Sequence, residues 1–197
     1  MKYSALVLAI LVNFQGFNVF AAAAFSVSNR DEGSLLKIEP IVGYETVYRE
    51  LPLPHTSTRT IYGGRVTLGE DWLAGELEYT RGSDTENYTV APEVIKNEDE
   101  KLKLGVRSIY RFNEYMFTTG RIGGQAHKNK KDSTSGGVTT SSETTRYSPY
   151  AGVSLGIRFA KVLTLSAGTT VIFNDATDMS KNDYQHVVSL GIGYYAK

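Results

Sequence analysis

The sequence has no cysteine, only five prolines and one tryptophan in 197 residues, and no apolar run of membrane-helix length after its N-terminal segment. Without cysteine there is neither a disulfide framework nor a site for an N-terminal lipid anchor. An exported domain built this way must be held by backbone hydrogen-bond ladders and packing. Charge of one sign is also missing: 21 basic residues face 21 acidic ones. That balance excludes the basic excess a nucleic-acid binder needs. What is abundant instead is glycine (19), tyrosine (13) and phenylalanine (8), the composition of a strand-rich chain with close backbone contacts.

The N-terminus reads as a leader. Lys2 is positive, Ala5 to Phe20 are mostly apolar, and Ala21-Ala22-Ala23 supplies the small residues a signal peptidase accepts. Asn13, Gln15, Gly16 and Asn18 interrupt the apolar stretch, which is short for a spanning helix of roughly 20 residues. A signal peptide over 1–23 and one exported domain over 24–197 are therefore expected. Loss of Lys2 leaves one acidic residue in excess. If the exported domain enters a membrane, it must do so as a closed barrel, because an open sheet edge leaves backbone groups unpaired in lipid.

Strand side chains point alternately to opposite faces, so a half-buried strand alternates at a period of two. Eight stretches do so: 35–48, 58–69, 72–81, 101–112, 115–127, 146–159, 163–174 and 184–195. In 146–159, for example, Tyr147, Pro149, Ala151, Val153, Leu155, Ile157 and Phe159 oppose Arg146, Ser148, Gly152, Ser154 and Arg158. About eight strands near the 9–11 residue spanning length result. Their connections alternate too. Those at 69–71, 113–114 and 160–162 are tight, whereas 49–57, 82–100, 128–145 and 175–183 are long and polar. Aromatics flank the tight turns (Trp72, Phe112, Tyr115, Phe159, Tyr194, Tyr195), and Tyr44, Tyr48, Tyr62, Tyr79, Tyr147 and Phe173 mark the other rim. Two such bands are the interfacial girdles of a spanning protein.

A soluble lipocalin-like carrier is the competing eight-stranded reading. It is disfavoured because the polar face interleaves long charged residues with glycines such as Gly43, Gly63, Gly105, Gly123 and Gly152, a mixture that suits a narrow lumen. On these patterns the chain resembles the small eight-stranded outer-membrane barrels of the OmpX and OmpA-transmembrane-domain type. The resemblance implies an all-β, closed, up-and-down antiparallel transmembrane barrel in a bacterial outer membrane, monomeric, in contact with lipid bilayer and lipopolysaccharide. It also implies insertion by the barrel-insertion machinery through the last strand, Ser189 to Lys197. Here the sequence departs from the family pattern by ending on Ala196-Lys197 rather than an aromatic residue.

An eight-stranded lumen is just wide enough to be filled by side chains. Pairing across a Glu70-Asp71 turn sets Arg65 opposite Glu76, and Glu78, Arg107 and Arg121 fall at similar depth. A mid-barrel ionic cluster of Arg65, Glu76, Glu78, Arg107 and Arg121 is expected, as a plug in preference to a gate. No enzymatic activity is expected. His55-Thr56-Ser57 has the His-x-Ser spacing of a nucleophile and its base, but it reads as part of a proline-containing loop. No spacing brings together the three or four ligands of a metal site, and no cofactor is expected. The acidic segment 82–100 and the segment 128–145, basic at first and then Ser/Thr-rich, are the places for an extracellular ligand. A structural or surface role is the first functional reading; a small-solute channel and a lipid A-modifying enzyme are the alternatives.

Overall fold

The computed structural model describes residues 35–49, 54–70, 72–88, 93–160, 162–175 and 177–195; the expected leader over 1–23 and the terminal Ala196-Lys197 lie outside them. Eight strands follow in chain order: β1 (Leu35–Arg49), β2 (His55–Gly69), β3 (Ala74–Tyr88), β4 (Glu93–Arg111), β5 (Met116–Ser135), β6 (Val138–Arg158), β7 (Leu163–Ile172) and β8 (Asp183–Tyr195). Each pairs antiparallel with its neighbour, and β1 closes on β8 from Leu35↔Tyr195 to Thr46↔Tyr184. Closure leaves no unpaired edge at membrane depth, as lipid demands.

Polarity is inverted relative to a soluble domain. Buried residues include Lys37, Glu39, Glu45, Arg59, Arg65, Glu76, Glu78, Lys101, Lys103, Arg107 and Arg121, all facing the lumen. The outer wall carries the exposed apolar set, with Leu104 at 68% and Leu155 at 64% of full exposure. A soluble carrier would have these faces exchanged. The alternating pattern thus becomes a lipid belt, bounded by Tyr44, Tyr62, Tyr79 and Tyr147 above and by Trp72, Phe112, Tyr115, Phe159 and Tyr194 below, all exposed.

The lower ends are joined by tight turns. Glu70 and Leu73 exchange backbone hydrogen bonds of 3.1 Å, and the Asn113 side chain accepts from the amides of Tyr115 and Met116 at 2.8 Å. Gly69 enters its turn at φ +143°, and a Cβ there would lie 2.6 Å from the Ala74 backbone, so only glycine fits. This turn corrects one expected register. The four residues from Glu70 to Leu73 lie between Gly69 and its partner Ala74, so Arg65 pairs with Glu78 and not with Glu76, which faces Thr67. The slip is two residues and keeps every side chain on its expected face.

The upper ends differ more. Most of 82–100 and 128–145, expected as loops, extends β3 to β6 well above the belt. There the outward face meets water in place of lipid, so cross-strand polar pairs such as Lys128–Glu143 (3.1 Å) replace the apolar alternation that marks a strand in sequence. The β5–β6 tip turns at Gly136-Gly137 with φ of +57° and +82°, the two-residue hairpin geometry that glycine favours. The upper connection between β7 and β8 contains a short 3-10 turn, Met179–Lys181.

Gly69→Ala should destabilise the barrel by about 1–3 kcal/mol through backbone strain. Gly136→Asn should leave stability unchanged, since nothing lies within 4 Å of its Cβ direction and Asn tolerates a left-handed conformation. Urea midpoints of the refolded protein in lipid vesicles check both, and equal midpoints would remove the argument for Gly69.

Candidate functional site: the charged lumen and its outer mouth

Four layers of ion pairs fill the barrel. Lowest, Glu39 on β1 takes Lys37 (2.9 Å), Arg107 (2.5 Å) and Arg65 (3.4 Å), while Arg107 also donates to Thr67 at 3.0 Å. In the middle, Glu78 on β3 accepts from Arg65 (2.7 Å), Arg121 (2.7 Å) and Lys103 (2.5 Å). Glu76 lies 3.4 Å from Arg65 and 3.5 Å from Arg121. Higher up, Glu45 accepts from Arg59 (2.7 Å), from Gln185 (2.8 Å) and from Lys101. At the mouth, Asp99 is held by Arg59, His127 and Asn129, and Arg49 bridges Asp84 (2.9 Å) and Glu86 (3.3 Å).

The five residues singled out from sequence are therefore placed as follows. Arg65 and Arg121 both reach Glu76 and Glu78. Arg107 reaches Glu39 instead and joins the others through that shared carboxylate. The period of two also puts Glu39, Glu45 and Lys103 on the polar faces of their strands, but the expected cluster does not include them, nor Lys37, Arg59, Gln185 and Tyr150; Asp99 falls in the segment 82–100, expected as a loop. Apart from that of Asp99, their face was readable from the period of two. Their depth was not, because it depends on the stagger between strands.

Among the described residues, Tyr150 is the one large aromatic that is fully buried. It lies on a single rung running Tyr150↔Gly123, Gly123↔Gly105, Gly105↔Glu76 across β6, β5, β4 and β3. Its hydroxyl passes over both glycines, where an added Cβ would come within 2.3 Å (Gly105) or 2.8 Å (Gly123) of it. It then donates to Glu76 at 3.1 Å. Arg121 and Lys103 lie 5.2 and 5.9 Å from its ring centre, within cation–π range. The two glycines thus create the slot that lets one side chain cross the lumen.

His55-Thr56-Ser57 lies at the start of β2, not in a loop. His55 Nε2 is 3.2 Å from Glu86, and the Ser57 hydroxyl donates to Asp84 at 3.5 Å. Each side chain meets its own β3 carboxylate across the mouth. Among the described residues no group of three or more His, Cys, Asp or Glu side chains is arranged to hold a metal. Beside the mouth, the loop before β8 is stapled by short polar contacts. The Thr177 hydroxyl and amide, with the Asp178 amide, hold the Asp175 carboxyl below the usual carboxylate range, and Ser180 does the same for Asp178.

No family model matches the chain, and no curated protein matches it in sequence. Solved structures match in shape. Ail, the attachment invasion locus protein of Yersinia pestis, gives a TM-score of 0.56 at 12% identity, covering 83% of this chain and 99% of Ail. The outer membrane protein OprG from Pseudomonas aeruginosa gives 0.59 at 9% identity, covering 84% and 97%. Neisserial surface protein A gives 0.50 at 12% identity, covering 84% and 100%. The chain has the fold of the small eight-stranded transmembrane barrels of outer membranes.

Burying an unpaired charge is far more costly than burying a pair. Glu78→Gln, which strips Arg65, Arg121 and Lys103 of a shared partner, should cost about 3–5 kcal/mol. Adding Lys103→Met removes one orphaned cation, so the double variant should lose clearly less than the sum of the singles. Equilibrium unfolding in vesicles measures the cycle. Strict additivity would mean that the two groups do not depend on each other.

Proposed function

We propose that this chain is exported by residues 1–23 and inserted in a bacterial outer membrane through its last strand. There it acts as a monomeric, non-enzymatic barrel with a closed lumen, whose work is interaction at the cell surface. Closure is supported by the stacked ion pairs and by Tyr150, which together leave charged side chains such as Lys103 and Glu39 with no exposed surface. Contact with lipopolysaccharide is supported by Arg81 and Lys128, outward-facing cations just above the tyrosine band.

The observation that carries the surface role is the free edge of β6. β7 pairs with β6 only from Tyr150 to Arg158, with one further backbone bond from Phe173 to Pro149 at 2.9 Å. Above that level, 138–148 has β5 on one side and no strand on the other among the described residues. Val138 to Tyr147 are exposed on both faces. The stretch is Val-Thr-Thr-Ser-Ser-Glu-Thr-Thr-Arg-Tyr, rich in residues that favour strands and poor in the lysines and prolines that blunt exposed edges. Such an edge accepts an extended polypeptide through main-chain hydrogen bonds.

A fluorescent alternating Thr-Val peptide should bind the refolded protein, and the same peptide methylated on alternate backbone amides should not. Proline at Ser141 and Thr145, whose amides lie on the β7 side of the strand like the Pro149 carbonyl that Phe173 uses, should abolish binding without unfolding the barrel. Planar-bilayer recordings of the same protein should show no discrete conductance steps. Indifference to N-methylation would end the edge reading, and regular conductance steps would replace the plug with a channel.

A further inference from the structure

Above the ion-pair layers the barrel opens outward into a polar cavity of roughly 520 Å³, within the usual range for small-molecule sites. Its floor includes Asp99, His127 and Asp183, and the strands β1, β3, β4, β5, β6 and β8 contribute walls. The cavity's acids are already engaged. Asp99 takes Arg59, His127 and Asn129, and Asp183 accepts the Tyr48 amide at 3.2 Å and faces Lys101 at 3.7 Å. Glu86 is shared by Arg49 and His55. Asp175 is tied into its own loop by Thr177 and the Asp178 amide. None of them is left to attract a cation.

Two lining cations stand apart. Lys131 on β5 and Arg146 on β6 make no ion pair or hydrogen bond among the described residues, although both border the cavity. They belong to three successive inward-facing rungs of the β5–β6 ladder: His127↔Arg146, Asn129↔Thr144 and Lys131↔Ser142. Rungs on one face repeat every two residues, about 7 Å, so the two cations bracket a wall about 14 Å long from opposite strands. Between them Thr144 and Ser142 offer hydroxyls, and Asn129 keeps its carbonyl oxygen free while its amide holds Asp99. The buried side chains of Val47 and Ile95 add an apolar patch to the lining. Cationic ends, hydroxyl-bonding groups between them and an apolar patch are the complement of a sugar ring bearing a strong anion.

We propose that this outer cavity is a binding site for a saccharide carrying a phosphate or sulfate ester. Arg146 at one end of the wall or Lys131 at the other holds the ester, while Asn129, Ser142 and Thr144 between them bond the sugar hydroxyls. The site uses the inward face of β5 and β6, not the free edge of β6, so it stands or falls separately from strand addition.

The test uses the folded protein in detergent micelles, isotope-labelled for amide NMR and titrated with glucose 6-phosphate, glucose 6-sulfate and plain glucose. At least one ester should shift the amides of 129–131 and 142–146 saturably, with glucose much weaker. A preference for one ester identifies a phosphorylated or a sulfated saccharide as the source, and equal binding assigns the site to both. Lys131→Gln with Arg146→Gln should weaken ester binding at least about tenfold, because charge-assisted contacts are lost. Both residues lack partners, so the barrel should keep its heat-dependent gel mobility. Lys96→Gln, which removes an outward-facing cation paired with Glu98 at 2.8 Å, should bind like the unaltered protein. Glucose binding as tightly as the esters, an unaffected double variant, or an equal loss in the Lys96 variant would each overturn the site.

Discussion

The constraint on which the rest depends is the pairing of charge inside a narrow tube. Taking a carboxylate or an ammonium out of water costs several kcal/mol, which is recovered only when nearly every partner is in place. In this lumen that condition is approached by sharing: Glu39 and Glu78 each serve three cations, while the Nε atoms of Arg107 and Arg121 have no hydrogen-bond partner. Some partners lie on the same or the next strand, but Arg107 reaches Glu39 from β4 to β1 and Arg121 reaches Glu78 from β5 to β3, so the whole network exists only once the ring is closed and in register. The same pairing that fills the barrel therefore also selects one stagger of its strands.

Glycine has a structural part in this arrangement. Gly105 and Gly123 leave a slot on adjacent strands, and Tyr150 lies in it to reach Glu76. Gly156 makes similar room for the Phe117 ring near the lower end. Small and large residues thus occupy the same rung, which is how eight strands can hold so many long side chains without widening.

Above the belt the physical problem changes. There is no lipid to demand closure, and water can satisfy backbone groups on either face. β4, β5 and β6 continue as a projecting sheet held by polar cross-strand pairs and one diglycine turn, and β6 keeps an edge free. Membrane anchoring and surface exposure are in this way divided between the two ends of the same strands.

Membership of the wall, the facing of each side chain and the two aromatic girdles could be read from the sequence, because a period of two and a lipid-facing belt leave a local signature in every strand. Two kinds of feature could not. The upper halves of β3 to β6 carry no apolar alternation, so Glu93 to Asp99 or Lys128 to Ser135 look like loop until they are paired. The partners of inward charges were the other. The faces of Arg65 and Arg107 were legible, but Arg65 meets Glu78 because of a four-residue turn, and Arg107 on β4 meets Glu39 on β1 because curling the sheet into a ring brings them together across the lumen. Facing is a local property of the chain. Depth and partnership are set by turn length, stagger and closure, and only the tertiary structure decides those.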